Sequence, residues 1–171
     1  MFKIAQVGEP ILRTPAITVN CFDDKLLAFI DDLKATMLSA DGIGIAAPQV
    51  FDPRAVMIVA SKANARYPDA PNMAPRVMVN PTLLTVGKTI EKGWEGCLSV
   101  PGVRGLVPRY TEVTFSYQDE QGEPHKASWQ GFLARIFQHE LDHLHGKTWL
   151  DSLETNADIV AESVYLARLA N

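Results

Sequence analysis

The stretch QHELDHLHG, residues 138–146, places two histidines four residues apart, with a glutamate directly after the first. Because an α-helix turns about 100° per residue, His139 and His143 project from one face of a helix, one turn apart. Both imidazoles can therefore reach a single metal ion. Glu140 lies about 60° around the helix from His143, which suits a general base beside the metal better than a third ligand.

We expect this motif to lie on a helix that runs from about Trp129 to His145. Ser128 is a candidate N-cap, and Gly146 occupies the position after the helix end, where glycine is favoured. Apolar residues flank the motif at Phe137, Leu141 and Leu144. The helix is therefore predicted to be partly buried.

The rest of the sequence predicts a mixture of helices and short strands. An amphipathic helix is expected between a cap at Asp23 or Asp24 and Gly42, and a second one in NADIVAESVYLARL, residues 156–169. Strands are predicted at 54–61 and 76–86, with a surface loop between them at 62–75. A hairpin is predicted at 109–130.

From this order of elements we expect an α+β fold in which small mixed or antiparallel β-sheets pack around a central metal-binding helix. The chain has 171 residues, of which 47% are hydrophobic and 21% charged. That size and composition predict one globular domain spanning residues 1–171.

Charge and cysteine content narrow the class of protein. The net charge of −4 argues against a nucleic-acid-binding surface. No apolar run is long enough to span a membrane, and none follows the first residues as in a secretory signal peptide. We therefore expect a cytoplasmic protein. The only two cysteines, Cys21 and Cys97, are too few for a disulfide framework and are expected to be thiols.

The third metal ligand cannot be assigned from spacing alone. A metzincin would need a histidine where Trp149 stands, so that class is excluded. Glu162 lies downstream at a distance that a thermolysin-like zinc site would tolerate. Cys97, within GWEGCLSVPG, would be a strong ligand as a thiolate, although a lone cysteine is more often a small buried apolar residue. His125 and His145 are more plausible as ordinary polar side chains.

Three segments in a fixed order resemble the peptide deformylase family. These are GIGIAAPQ at 42–49, EGCLS at 95–99 and QHELDHLHG at 138–146, and the likeness extends through 8–16 and 101–110 to about Asp151. The first segment also imitates part of a dinucleotide-binding fingerprint. A predicted helix precedes it and Pro48 lies near its end, however, whereas that fingerprint should follow a strand and open a helix.

The resemblance implies a metal-dependent hydrolase that removes the formyl group from N-formyl-methionine at the start of newly made polypeptides. It implies a metal held by Cys97, His139 and His143 with water in the fourth position, and Glu140 as general base and acid. Ferrous iron is the ion expected in the cell, and zinc, nickel or cobalt can occupy such a site in a purified sample.

The resemblance also assigns residues that contact the substrate. The Gln49 amide and the Leu98 backbone N–H would stabilise the oxyanion, and Gly44 would allow the substrate close to the backbone. An apolar pocket for the methionine side chain would be lined by Ile43, the stem of Glu95, Phe132 and Ile136. For the last two of these, ordinary core packing is an equal alternative.

The expected partners are N-formyl-methionyl nascent peptides and, transiently, the ribosome, but neither nucleic acid directly nor a membrane; a monomer is expected. The segment from Asp151 to Asn171 has a net charge of −3, which weakens the expectation of docking on the ribosome. Arg135 stands where the family commonly has an apolar residue, so the pocket mouth is expected to be more polar. Asp142 either orients a ligand or pairs with an arginine such as Arg109.

Two other functions remain open on the sequence alone. One is a zinc peptidase that uses Glu162 as its third ligand. The other is a non-catalytic module whose metal is structural and closed by four protein ligands.

Overall fold

The computed structural model describes residues 1–64 and 67–170. The helices are α1 (Asp24–Ser39), α2 (Gly131–Leu144) and α3 (Glu162–Leu169). The strands are β1 (Gly44–Ala46), β2 (Val56–Ser61), β3 (Met73–Val86), β4 (Ile90–Cys97), β5 (Val100–Tyr110), β6 (Glu112–Gln118), β7 (Pro124–Gln130) and β8 (Ile159–Ala161).

Two antiparallel sheets surround α2. The larger sheet has the strand order β1-β2-β3-β6-β7, and the smaller has the order β4-β5-β8. Helix α2 contacts strands of both sheets, including β1, β2 and β7 on one side and β5 on the other. The predicted α+β fold with small sheets around the motif helix is confirmed, and every strand pair within the two sheets is antiparallel.

Helix α1 forms where its sequence predicts it. The Asp23 carboxylate accepts a hydrogen bond of 2.9 Å from the Leu26 N–H, which satisfies one of the free donors at the helix start. Its apolar stripe is buried at Leu26, Ile30, Leu33 and Met37. The hairpin prediction is likewise confirmed, with β6 and β7 paired from Glu112↔Gln130 to Gln118↔Pro124.

The predicted start of the motif helix was wrong by two residues. Ser128 is not its cap, because β7 continues to Gln130 and the Ser128 hydroxyl lies 2.8 Å from that of Thr114 on the neighbouring strand. The chain turns into α2 at Gly131, whose φ of 57° is readily adopted by glycine. The predicted end is confirmed, since Gly146 follows the helix with a φ of 70°.

The helix predicted over 156–169 begins only at Glu162. Residues 159–161 instead form β8, which pairs with β5 through Arg104↔Val160. An apolar run of this length fits either structure, and the open edge of β5 favours the strand. The hairpin of β4 and β5 was not predicted, and the expected loop at 62–75 already becomes β3 at Met73. Residues 65 and 66 of that loop lie outside the described residues.

A small apolar cluster joins β5 to the segment after α2. Trp149 is fully buried against Val100 and Val107. A methyl group placed on Gly105 would overlap the six-membered ring of this tryptophan, so glycine is required there for packing. None of the helices in the described part of the chain combines the length and apolar character needed to cross a bilayer.

We predict that Gly105→Ala lowers the free energy of unfolding by about 1–3 kcal/mol through overpacking against Trp149. Urea denaturation would measure the change. In a Trp149→Leu background, which removes the ring, adding the same methyl group should cost much less. An equal cost in both backgrounds would contradict this account of the packing.

Candidate metal centre and active site

Cys97 lies at the turn of the β4–β5 hairpin, facing α2. It pairs with Val100, and an irregularity in the register between Glu95 and Cys97 interrupts the regular alternation of side chains in β4. The Cys97 Sγ lies 3.2 Å from Nε2 of His143. The sulfur and one nitrogen from each of His139 and His143 all lie within 4.8 Å of one another.

A buried carboxylate orients His139. Nδ1 of the ring lies 2.9 Å from Oε2 of Glu95, and both side chains are almost completely buried. Because this contact uses Nδ1, it leaves Nε2 to face Cys97 and His143. Metal-binding histidines are commonly held in this way by a carboxylate on the other ring nitrogen.

Two arginines hold Glu95 in turn. Arg109 donates to its oxygens at 2.9 and 3.0 Å, and Arg135 donates to Oε1 at 2.9 Å. Burial raises the pKa of Glu95, but the charge of Arg109 and hydrogen bonds from His139 and Arg109 outweigh it and hold that pKa well below its usual range. Glu95 is therefore a carboxylate, and its stem lines the cavity while its head orients a histidine.

The open question about Asp142 is answered by the same network. Its carboxylate accepts a hydrogen bond of 2.6 Å from Arg109, so it pairs with that arginine. Arg135 is turned towards the β4–β5 sheet, where it also donates to the carbonyl oxygens of Val107 and Glu91 at 2.7 Å each.

The surroundings of Cys97 favour its thiolate. Burial raises the pKa of the thiol, but the charge of His143 and hydrogen bonds with His139 and His143 outweigh it and hold that pKa well below its usual value. The thiolate is the form of cysteine that binds metal ions. Two rings and one thiolate thus make a donor set that fits a divalent metal such as zinc or iron.

Glu140 is buried beside the ligand group. Burial raises its pKa from 4.5 to about 7, with the charges of Cys97 and Glu95 adding to the rise and the two histidines opposing it. Its Oε2 has no hydrogen-bond partner among residues 1–64 and 67–170. A side chain at Gly44 would overlap the Glu140 carboxyl group. The carboxyl group therefore fits only because residue 44 is a glycine.

Gln49 presents its amide nitrogen to the same centre. Its Oε1 accepts a hydrogen bond of 2.8 Å from the Ala46 N–H, which fixes which end of the amide faces inward. Its Nε2 lies 3.1 Å from Oγ of Ser99 and 3.5 Å from Sγ of Cys97. The amide is therefore a preset N–H donor next to the ligand group.

A cavity of about 200 Å³ opens beside these residues. Ten of the eleven residues that the sequence singles out line it: Ile43, Gly44, Gln49, Glu95, Cys97, Leu98, Phe132, Ile136, His139 and Glu140. The remaining one, His143, is completely buried behind them. Phe132 and Ile136 line the cavity and also pack in an apolar cluster with residues of the larger sheet, so core packing accounts for part of each side chain and a role in binding methionine stays a prediction.

Several residues of the cavity were not found from the sequence. Tyr67, Trp94 and Arg104 line it as well. One signal was available, because glycine within a strand often marks a close approach by another group. A side chain at Gly96 would overlap the guanidinium group of Arg104, and one at Gly93 would overlap that of Arg135.

Glu162 is not part of the ligand group. Its Oε1 accepts a hydrogen bond of 2.9 Å from Nη2 of Arg104, and within the described residues the one cluster suited to a metal is Cys97, His139 and His143. The structure therefore favours the cysteine over the glutamate as third ligand. His145 is exposed, and His125 pairs with Asp119 at 2.7 Å, as expected of ordinary polar residues.

An α+β fold with a Cys-His-His group beside a buried glutamate is typical of a metal-dependent hydrolase, and comparison with known proteins supports that class. A family model described as polypeptide deformylase matches residues 1–158. The chain is 46% identical to peptide deformylase 2 of Nostoc sp. over 166 residues, which cover 96% of this chain and 93% of that protein. It is 50% identical to peptide deformylase 2 of Shewanella oneidensis over 148 residues, covering 86% and 82%.

Solved structures agree with these relatives. A class I type b peptide deformylase from Acinetobacter baumannii, determined with Met-Ala-Ser bound, matches with a TM-score of 0.88 at 45% identity, covering 90% of this chain and 98% of that one. The peptide deformylase of Thermotoga maritima matches with a TM-score of 0.81 at 32% identity, covering 91% and 99%. The chain belongs to the polypeptide deformylase family and is an enzyme.

We predict that Glu95→Gln weakens zinc binding about 10- to 100-fold, because the neutral amide orients His139 less strongly. Competition with a chromophoric chelator would measure the affinity. Asp142→Asn is the matched control, since it removes a charge from the same network without touching His139, and it should change the affinity much less. Equal losses in the two variants would contradict the orienting role of Glu95.

The raised pKa of Glu140 predicts a pH-dependent stability of protein prepared with a chelator. Glu140 binds its proton more tightly in the folded chain than in the unfolded chain. The protonated group therefore contributes its full stabilisation of the fold below pH 4.5, and this contribution is lost as the pH rises to about 7 and beyond. The free energy of unfolding of Glu140→Gln minus that of wild type should therefore increase by about 2–3 kcal/mol from pH 5 to pH 8. Urea unfolding at both pH values would measure this; a constant difference would contradict it.

Proposed function

We propose that this enzyme hydrolyses the formamide of N-formyl-methionyl peptides within one catalytic domain, residues 1–171, with Glu140 as the group that transfers the proton. The observation that carries the proposal is the position of Glu140. Its buried carboxyl group lies beside the Cys97–His139–His143 group in a cavity of about 200 Å³. Family membership supports removal of an N-terminal formyl group, and the arrangement of residues supports the roles below.

The proposed ligands are Cys97, His139 and His143. When bound there, a divalent cation supplies Lewis acidity, which lowers the pKa of water and polarises a carbonyl oxygen. We propose ferrous iron as the ion in the cell, on the basis of the family resemblance. Zinc, nickel or cobalt would suit the same sulfur and nitrogen donors in a purified sample.

Glu140 would carry the proton between water and the leaving nitrogen. Its carboxylate would accept a proton as a water oxygen forms a bond to the formyl carbon. It would return that proton to the amide nitrogen as the carbon–nitrogen bond breaks, giving a free amine and formic acid, which loses its own proton to become formate. A carboxyl group positioned to accept and return a proton in this way contributes about 10²- to 10⁴-fold to the rate.

Gln49 and Leu98 would stabilise the negative oxygen that develops on the formyl carbon. The Gln49 amide nitrogen is already directed towards the centre, because Ala46 holds the other end of the amide. Leu98 follows Cys97 in the hairpin turn and lines the cavity, and its backbone N–H is the proposed second donor. Donors fixed before the reaction act without reorganisation, and losing one typically costs about 10²- to 10³-fold.

The methionine side chain would occupy the apolar part of the cavity. Ile43, Phe132 and Ile136 line that part, and the stem of Glu95 adds to it while its head is held by Arg109 and Arg135. The short strand β1, which contains Gly44, borders the same space and would lie beside the peptide backbone.

A deformylation assay with metal analysis tests the proposal. We predict that Glu140→Ala retains one metal ion per chain and lowers kcat for a formyl-Met peptide by at least about 10²-fold. Cys97→Ser should lose most of the metal as well as the activity, because a hydroxyl group is a much weaker ligand than a thiolate. Formate release and metal content would be measured on protein prepared without oxygen.

His145→Ala is the matched control, since this exposed histidine lies two residues beyond a proposed ligand. It should keep both metal and activity. Near-normal turnover in Glu140→Ala, or full metal content in Cys97→Ser, would contradict the assigned roles.

A further inference from the structure

A segment beyond the family match contributes to the wall of the cavity. The family model ends at residue 158, and β8 and α3 follow it. Strand β8 pairs with the edge of β5 through Val103↔Ala161 and Arg104↔Val160. This pairing places Glu162, the first residue of α3, in the lining of the same cavity as Cys97 and Glu140.

A buried arginine fixes Glu162 in that wall. Arg104 donates to Oε1 of Glu162 from Nη2 at 2.9 Å and from Nε at 3.3 Å. Its Nη1 donates to the Tyr67 hydroxyl at 2.7 Å, and its guanidinium group lies over the rings of both Tyr67 and Tyr165. Both hydrogen bonds from Arg104 end on Oε1 of Glu162, so this oxygen holds the carboxylate against the arginine.

The ion pair lies close to the proposed metal ligands. The Arg104 guanidinium packs over Gly96, which leaves no room for a side chain there. Gly96 directly precedes Cys97 in the chain. Arg104, Glu162 and the proposed ligand Cys97 therefore line neighbouring parts of one cavity wall.

The two charges of this pair are not equally exposed. The side chain of Arg104 is only 2% exposed, whereas that of Glu162 is 34% exposed. The carboxylate is therefore more accessible to a bound peptide than the guanidinium group. A partly exposed carboxylate attracts a cationic side chain and repels an anionic one, by an amount that decreases as salt is added.

We propose that Glu162 is a specificity-determining residue, which favours peptides with lysine or arginine directly after the methionine over peptides with glutamate or aspartate there. This inference rests on the proposed function, because it concerns the same substrate. The apolar part of the cavity, at Ile43, Phe132 and Ile136, takes the methionine, and Glu162 meets the residue that follows.

Calorimetric binding of three tripeptides to zinc-loaded protein tests this inference separately from catalysis. Wild type should bind Met-Lys-Ser about fivefold more tightly than Met-Glu-Ser at low salt, and the ratio should fall towards one at high salt. Glu162→Gln, which keeps an oxygen to accept from Arg104, should bring the ratio close to one at low salt. Its Kd for Met-Ala-Ser should stay within about twofold of wild type.

Glu154→Gln is the matched control. This residue lies in the segment between α2 and β8, pairs with Lys92 at 2.7 Å and is outside the cavity lining. It should keep the wild-type ratio. A wild-type ratio of one, an unchanged ratio in Glu162→Gln, or an equal loss of affinity for all three peptides in Glu162→Gln would overturn the inference.

The formylated forms of the three peptides separate this inference from the proposed function. If all three remain unhydrolysed while the binding preference is present and depends on Glu162, the proposed function fails and the selectivity stands. If all three are hydrolysed with the same kcat/KM and bound equally, the selectivity fails and the proposed function stands.

Discussion

The approach of a cysteine thiol to two histidine rings is the contact on which the site depends. Sγ of Cys97 lies 3.2 Å from a ring nitrogen of His143, although 46 residues separate them in the chain. Two structural features create this contact: an irregular hairpin that turns the cysteine towards α2, and a helix held between two sheets. Burying a charged side chain such as a thiolate is costly unless partner groups are held in fixed positions around it.

The buried charges next to this contact form a continuous network. Arg109 bridges Glu95 and Asp142, Arg135 ties Glu95 to the backbone of β4 and β5, and Glu95 orients His139. Strand β4 thus supplies one proposed ligand and also the carboxylate that orients a second proposed ligand. Because Glu95, Arg135 and His139 also line the cavity, a change in the network would alter both the Cys97–His139–His143 group and the shape of the cavity.

Much of this arrangement can be predicted from the sequence. Local patterns sufficed for α1, for the β6–β7 hairpin and for the face shared by His139 and His143. The choice of Cys97 over Glu162 needed the family resemblance, since neither residue is near the helix in sequence. The β8 strand and the Arg104–Glu162 pair could not be predicted, because the edge of β5, rather than any local preference, decides that Ile159–Ala161 is a strand.

X-ray absorption spectroscopy of the zinc-loaded protein tests the central claim most directly, because it counts the atoms bound to the metal. The account predicts one sulfur at about 2.3 Å and two imidazole nitrogens at about 2.0–2.1 Å, with the remaining position filled by a light atom. The sulfur contribution should disappear in Cys97→Ser. A wild-type spectrum without sulfur, or with carboxylate oxygen in its place, would contradict the account.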